Sequence, residues 1–306
     1  MNLHRGQPLR SSSSLRNQIL RVEELEPRAL LSAGASGGGF IDLGGGLVAF
    51  LTNEAAQNQD LNGDGDKLDQ VLQAFNAVGG SSFNSGQQAV AGSFVDLGNG
   101  RLAFLTDEAA QGRVLNRDGD KLDQVLQVFD AVTGIVHNSF QQAIAGSLLD
   151  TGNGRVAFLT SEAAQKRDLN QDHDKLDQVL QAFDSVADVV RNSRQQAVVG
   201  TVLDAGGGFV VFLTSEAAQH RVLNRDGDKL DQVLQSFDTA SGVVQNSGNQ
   251  AQDGSVLDLG TGLLAFLTSE AAQGRDLNGD GDKLDTVLQI FDAVTGNVQN
   301  TGQAVS

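Results

Sequence analysis

The sequence predicts an all-β fold, a five-bladed β-propeller preceded by a disordered N-terminal leader, and three observations predict it. A 54-residue unit recurs five times without insertion or deletion. Each unit carries four short strand signals, and the second strand of each is apolar on both faces. A fixed period of this length is the signature of a repeat architecture and is read before any local feature.

The string FLT places its threonine at Thr52, Thr106, Thr160, Thr214 and Thr268, which sets the repeats at about 39–92, 93–146, 147–200, 201–254 and 255–306. In the second unit SFVD forms the first strand, ended by the turn Gly98-Asn99-Gly100. RLAFLT (101–106) is the second strand, a long polar loop follows, and QVLQVFD (124–130) is the third. Thr133-Gly134 turns the chain into IVHNS, and a Gln-Gln segment crosses to the next unit. Apolar runs joined by Asn-Gly or Thr-Gly turns read as hairpins. Leu102 and Phe104 point to one side and Ala103 and Leu105 to the other, so this strand belongs between neighbouring sheets. Four-stranded sheets covered on both faces and repeated five times fit blades around an axis. An open solenoid and a row of separate domains are the alternatives. No Pro- or Ser-rich linker separates the units, and the end copies lack the polar caps an open stack needs. The tail Gln303–Ser306 stops where another first strand would begin, and is expected to dock beside residues 39–43 and close the ring.

Composition narrows the function classes. The 306 residues include no Cys, Trp or Tyr, 21 Lys plus Arg and 38 Asp plus Glu, for a net charge of -17. Disulfides, thiolate metal sites and a cysteine nucleophile are excluded. The acidic balance argues against nucleic acid and anionic membranes as partners, and no apolar run approaches the roughly 18 residues of a membrane span. The charge divides unevenly. Residues 1–36 hold both prolines, Pro8 and Pro27, and a net +2, leaving -19 on the body at 37–306.

The loop between the second and third strands carries the chemistry. Its copies read DLNGDGDKLD (60–69), VLNRDGDKLD (114–123), DLNQDHDKLD (168–177), VLNRDGDKLD (222–231) and DLNGDGDKLD (276–285). Oxygen-bearing side chains at positions 1, 3 and 5 fall on one side of a curling loop, and Gly at position 6 permits a sharp turn around a cation. Calcium takes six to eight oxygens and is the predicted ion; no nitrogen or sulfur ligand invites zinc. The candidate ligands are Asp60, Asn62, Asp64, Asp66 and Asp69; Asn116, Asp118, Asp120 and Asp123; Asp168, Asn170, Asp172, Asp174 and Asp177; Asn224, Asp226, Asp228 and Asp231; and Asp276, Asn278, Asp280, Asp282 and Asp285. Val114 and Val222 replace the first carboxylate, which predicts weaker sites in copies two and four. His173 replaces the glycine in copy three, which predicts strain. Glu54, Glu108, Glu162, Glu216 and Glu270, at the loop openings, are candidates to complete the shell. Lys67, Lys121, Lys175, Lys229 and Lys283 are expected to offset the carboxylates.

The D-x-N-x-D-G core resembles the calcium loops of dockerins, EF-hands and integrin-type propellers, and departs from each. Val71 stands where an EF-hand places its last Glu, and Asp69 falls one position beyond the last Asp of an integrin-type loop. GNGRLAFLT followed by QVLQVFDAVTG is similar to the repeats of TolB-type and related propellers, which implies a blade fold and no chemistry. Leu25-Glu26-Pro27-Arg28-Ala29-Leu30-Leu31-Ser32 resembles the LEPR-x-LL segment of large exported planctomycete proteins, which implies an extracellular or cell-surface location. His4, His137, His173 and His220 occupy non-equivalent positions, so no catalytic histidine set is read and the chain is expected not to be an enzyme. The expected function is a secreted calcium-binding module, monomeric, that binds an extracellular protein or an envelope ligand. The alternatives are a purely structural repeat segment and, behind it, a propeller-type hydrolase or lyase.

Overall fold

A computed structural model describes residues 39–305, so the leader expected at 1–36 lies outside the described residues. Each repeat forms one antiparallel meander. The sheets are β1 (Phe40–Asp42), β2 (Leu47–Asn53), β3 (Gln70–Asn76) and β4 (Ser81–Gln88); then β5 (Val95–Gly98), β6 (Arg101–Asp107), β7 (Gln124–Asp130) and β8 (Ile135–Gln142). The third holds β9 (Leu149–Gly152), β10 (Arg155–Ser161), β11 (Gln178–Asp184) and β12 (Val189–Gln196), and the fourth β13 (Leu203–Gly206), β14 (Phe209–Ser215), β15 (Gln232–Asp238) and β16 (Val244–Gln250). The fifth holds β17 (Leu257–Gly260), β18 (Leu263–Ser269), β19 (Thr286–Asp292) and β20 (Val298–Val305). Within each sheet, neighbours in sequence are neighbours in space.

The turn between the first two strands explains its own composition. Gly98, Asn99 and Gly100 all have positive φ, at 74°, 56° and 77°, which glycine and asparagine adopt at little cost. The register then sets Leu102 opposite Phe129 and Phe104 opposite Gln127.

Four apolar cores lie between successive sheets. Leu47, Ala49 and Leu72 of the first sheet meet Leu102, Phe104 and Phe129 of the second. Leu105 and Leu126 meet Val156, Phe158 and Phe183; Leu159 and Leu180 meet Val210, Phe212 and Phe237; Leu213 and Leu234 meet Leu264, Phe266 and Phe291. Each fully buried Phe or Leu contributes about 1.5–3 kcal/mol, so these interfaces dominate the stability. The expectation of strands covered on both faces holds for β6, β10 and β14, whose five central residues are all buried. In β2 and β18 burial alternates, because the outer faces of the first and fifth sheets are only partly covered. The first strands of successive sheets converge, β5 on β9, β9 on β13 and β13 on β17. This is the inner end of a radial set of blades, and the fold is a β-propeller of five blades.

The tail does not pair as expected. Residues 298–305 form the outer strand of the fifth sheet, with Val305 opposite Thr286, while β1 pairs with β2. Tail and first strand each have a partner in their own repeat.

Candidate metal centre

The segment before each acidic loop is not simply loop. Glu54–Gln57 (α1), Glu162–Gln165 (α2) and Glu270–Gln273 (α3) each form one helical turn, because Asn53, Ser161 and Ser269 cap the N-terminus and Ala-Ala favours helix. This turn points the Glu side chain inward.

All five of these Glu residues are fully buried. Oε1 of Glu54 accepts from the N–H groups of Leu61 and Asn62, the latter at 3.2 Å. The same pair of bonds recurs at Glu108, Glu162, Glu216 and Glu270. Oε2 accepts from Asp69, Asp177, Asp231 and Asp285 at 3.1–3.4 Å. In these four repeats the carboxylate therefore ties the two ends of its loop together, whereas Glu108 Oε2 has no hydrogen-bond partner.

Inside the loop, each side chain supports the next backbone step. Asn62 Oδ1 accepts from Asp64 N–H, Asp64 Oδ1 from Asp66 N–H, and Asp66 Oδ1 from Leu68 N–H, at 3.2, 2.9 and 2.7 Å. Asn62 Nδ2 donates to Asp69 Oδ2 at 2.8 Å. Asn116, Asn170, Asn224 and Asn278 make the equivalent bond at 2.7 Å. Asp60, Asp168 and Asp276 use their carboxylates on the turn: Asp60 accepts from Gly63 at 2.6 Å and Gly65 at 3.1 Å. His173 takes the expected strained conformation, with φ 83°.

This scaffold gathers carboxylates. Ligand atoms of Glu54, Asp66 and Asp69 lie within 4.8 Å of one another, as do those of Glu108, Asp118, Asp120 and Asp123; of Glu162, Asp172, Asp174 and Asp177; and of Glu216, Asp226, Asp228 and Asp231. Calcium–oxygen distances of 2.3–2.6 Å put oxygens on opposite sides of one ion at about 5 Å, so the spacing fits. Three buried oxygens in these groups, Glu108 Oε2, Asp118 Oδ2 and Asp172 Oδ2, have no hydrogen-bond partner, and Asp118 Oδ2 faces only the Lys166 ammonium. The chemistry of this donor set fits a hard divalent cation. The sequence placed the Glu residues only as candidates, yet in these groups they stand beside the Asp residues of positions 5, 7 and 10.

Burial, reinforced by the adjacent carboxylates, pushes the last Asp of the loop upward: Asp69 and Asp123 to about 6, Asp177 and Asp231 to about 7. These values exceed the ordinary 3.8, so the folded state holds these protons more tightly than the unfolded chain. Their contribution is full below about pH 4 and is lost as pH rises through 6–7. Metal-free protein is therefore expected to lose the stability contributed by these groups between about pH 4 and pH 7. Melting curves of chelex-treated protein that show no such loss would count against the arrangement.

The far wall of each of the first four loops comes from the following repeat. Gln111 is fully buried; its Oε1 accepts from Gln88 N–H at 2.6 Å and its Nε2 donates to the Asn62 carbonyl at 3.4 Å. Gln165 and Gln273 repeat both bonds. These glutamines escape a sequence reading focused on charge, although EAAQ in every copy is a signal. The residue after each glutamine faces the preceding loop and differs from copy to copy. A Cβ on Gly112 would sit 3.3 Å from Asp64, and one on Gly274 3.7 Å from Asp226. Lys166 instead sets its ammonium 3.1 Å from Asp118 Oδ2 and 2.6 Å from Asp120 Oδ2, and holds the Asp120 carboxyl below its usual range. His220 Nδ1 lies 3.7 Å from Asp172 Oδ2.

Two expectations are corrected here. Three of the loop lysines bond elsewhere than to the carboxylates: Lys67 donates to Asn58 Oδ1, and Lys121 and Lys283 to the carbonyls of Gly112 and Gly274. A nitrogen donor does reach one loop, because His220 crosses from the next repeat.

No protein-family model and no curated protein matches the chain. Among solved structures it is similar to TolB from Acinetobacter baumannii, with 12% identity, 85% of this chain and 54% of that chain covered, and a TM-score of 0.32. It is similar to the β-propeller domain of the Trilobed protease from Pyrococcus furiosus, which has an open velcro topology (11% identity, 86% and 70% covered, TM-score 0.35). Dipeptidyl peptidase 4 from Porphyromonas gingivalis gives 12% identity, 77% and 30% covered, and a TM-score of 0.37. The chain spans about half of that TolB's length and about a third of the peptidase's. The blade assignment rests on this chain's own sheets, and the acidic loops are a feature of its own repeats.

Proposed function

We propose that the chain is a secreted or cell-surface, calcium-binding propeller that acts as a binding or adhesion module, its calcium ions holding each acidic loop against the next blade. One observation carries the metal reading: carboxylate groups built on a buried Glu recur at one place in successive repeats, and three of their buried oxygens have no hydrogen-bond partner. The Glu at the loop opening and the Asp residues at positions 5, 7 and 10 would hold the ion, which would neutralise charge that the loop backbone alone leaves crowded. The LEPR-type leader supports an extracellular setting, where calcium is millimolar. A second reading, a structural repeat with no specific ligand, draws support from the position of these groups at blade junctions.

Calorimetric titration of chelated protein with calcium tests the metal. The second loop is expected to take calcium weakly, since Lys166 already places a cation there, and Lys166→Gly is expected to add one calcium equivalent. Absence of calcium uptake in both proteins would end the reading. Retention of labelled protein on cell-envelope material, with and without chelator, tests the module. Calcium uptake without retention would favour the structural repeat.

A further inference from the structure

The junction between the third and fourth repeats differs from the others in donor chemistry. Its loop supplies Asp172 and Asp174, and the next repeat supplies His220; one ligand atom of each lies within 4.8 Å of the other two. The Asp172 side chain has no exposed surface, and its Oδ2 has no hydrogen-bond partner and lies 3.7 Å from His220 Nδ1. The same imidazole nitrogen is 3.4 Å from the Asp172 carbonyl. The corresponding positions at the first and fourth loops are Gly112 and Gly274, which contribute no side chain, and at the second loop Lys166 contributes a cation.

We infer that Asp172, Asp174 and His220 form a mixed oxygen and nitrogen site for a first-row transition-metal ion of the zinc class, one per chain. The inference rests on the reading of these loops as cation sites, and assigns this one a different metal. Imidazole suits zinc and its neighbours and is a poor calcium donor. Zinc bonds of 2.0–2.1 Å in tetrahedral geometry separate two ligand atoms by about 3.4 Å, close to the 3.7 Å between His220 Nδ1 and Asp172 Oδ2. Three protein donors leave a fourth position for water or for Asp177, whose carboxylate is grouped with those of Asp172 and Asp174. His220 has φ 54°, a conformation that glycine adopts more easily. Holding a histidine there is a local cost with a chemical use.

His220→Gly installs the residue found at Gly112 and Gly274, so the fold is retained and backbone strain is relieved. Wild-type chelated protein is expected to bind one equivalent of zinc, and His220→Gly to bind it at least about tenfold more weakly, since even an outer partner of a ligand contributes 10–100-fold. Cobalt(II) placed in the wild-type site is expected to show visible bands that shift or fade in the variant. A merely structural histidine would leave those bands unchanged. Equal zinc affinity in the two proteins, or no zinc uptake by the wild type, overturns the inference. Calcium titrations of the same two proteins separate the readings. If the zinc result holds while no loop takes calcium, the calcium proposal alone falls.

Discussion

Stripping calcium from the protein is expected to lower its melting midpoint by about 8 °C. A site with a dissociation constant of about 10⁻⁴ M in millimolar calcium adds roughly 1.4 kcal/mol. Three such sites, in the first, fourth and fifth loops, add about 4 kcal/mol, which converts to about 8 °C for a body of this length. The loss should appear as a single shifted transition, because the first, second and fourth loops are bonded both to their own blade and to the next: Gln111 joins the Asn62 carbonyl to the second blade, and Gln165 and Gln273 do the same for Asn116 and Asn224. A melting curve in calcium and in chelator measures this directly. Superimposable curves would mean that the loops are self-sufficient, with their carboxylates stabilised by protons and backbone donors alone.

Replacing the buried Glu at one loop opening should cost nearly as much in a single step. Glu216→Ala would strip three backbone donors, those of Leu223, Asn224 and Asp231, of their acceptor. Buried donors left unpaired cost about 1–3 kcal/mol each. Water can reach some of them, so a loss of about 3–5 kcal/mol is expected in the denaturant midpoint. The loss should persist in metal-free protein, because the hydrogen bonds do not need the ion. Glu216→Gln separates the roles further. Its amide oxygen can serve Leu223 and Asn224, while its nitrogen confronts the Asp231 N–H and offers a metal nothing. A destabilisation below about 1 kcal/mol for Glu216→Ala would show that the loop holds its shape by other means.

The strands and their order were legible because the signals are local. Gly98-Asn99-Gly100 and Thr133-Gly134 mark turns that the backbone adopts with positive φ, and the alternation in RLAFLT needs only neighbouring residues to be read. The carboxylates of the loop were legible for the same reason, since Asp118, Asp120 and Asp123 lie within six positions. What remained hidden crosses a repeat boundary. Nothing in the local sequence joins His220 to Asp172 or Lys166 to Asp118, and the charge of Lys121 suggested a role that geometry gives to Lys166. The buried glutamines were hidden by their chemistry. Gln127 is nearly fully buried yet polar, and it is held there because Thr106 Oγ1 donates to its Oε1 at 2.8 Å. Hydropathy assigns such a residue to the surface. The EAAQ turn was read as loop because four residues are too short for a helical period to register.

The residue that faces each loop belongs to the following unit, and this has a consequence for how such arrays diversify. A duplication that copied the third unit in tandem would set its loop against a second Lys166 and leave only the last copy facing His220. A deletion of the third unit would set the second loop, Asp118 and Asp120, against His220. Neither event alters a codon inside a loop, yet each changes the side chain that faces a loop's carboxylates. In this chain, order along the array is itself a heritable chemical variable.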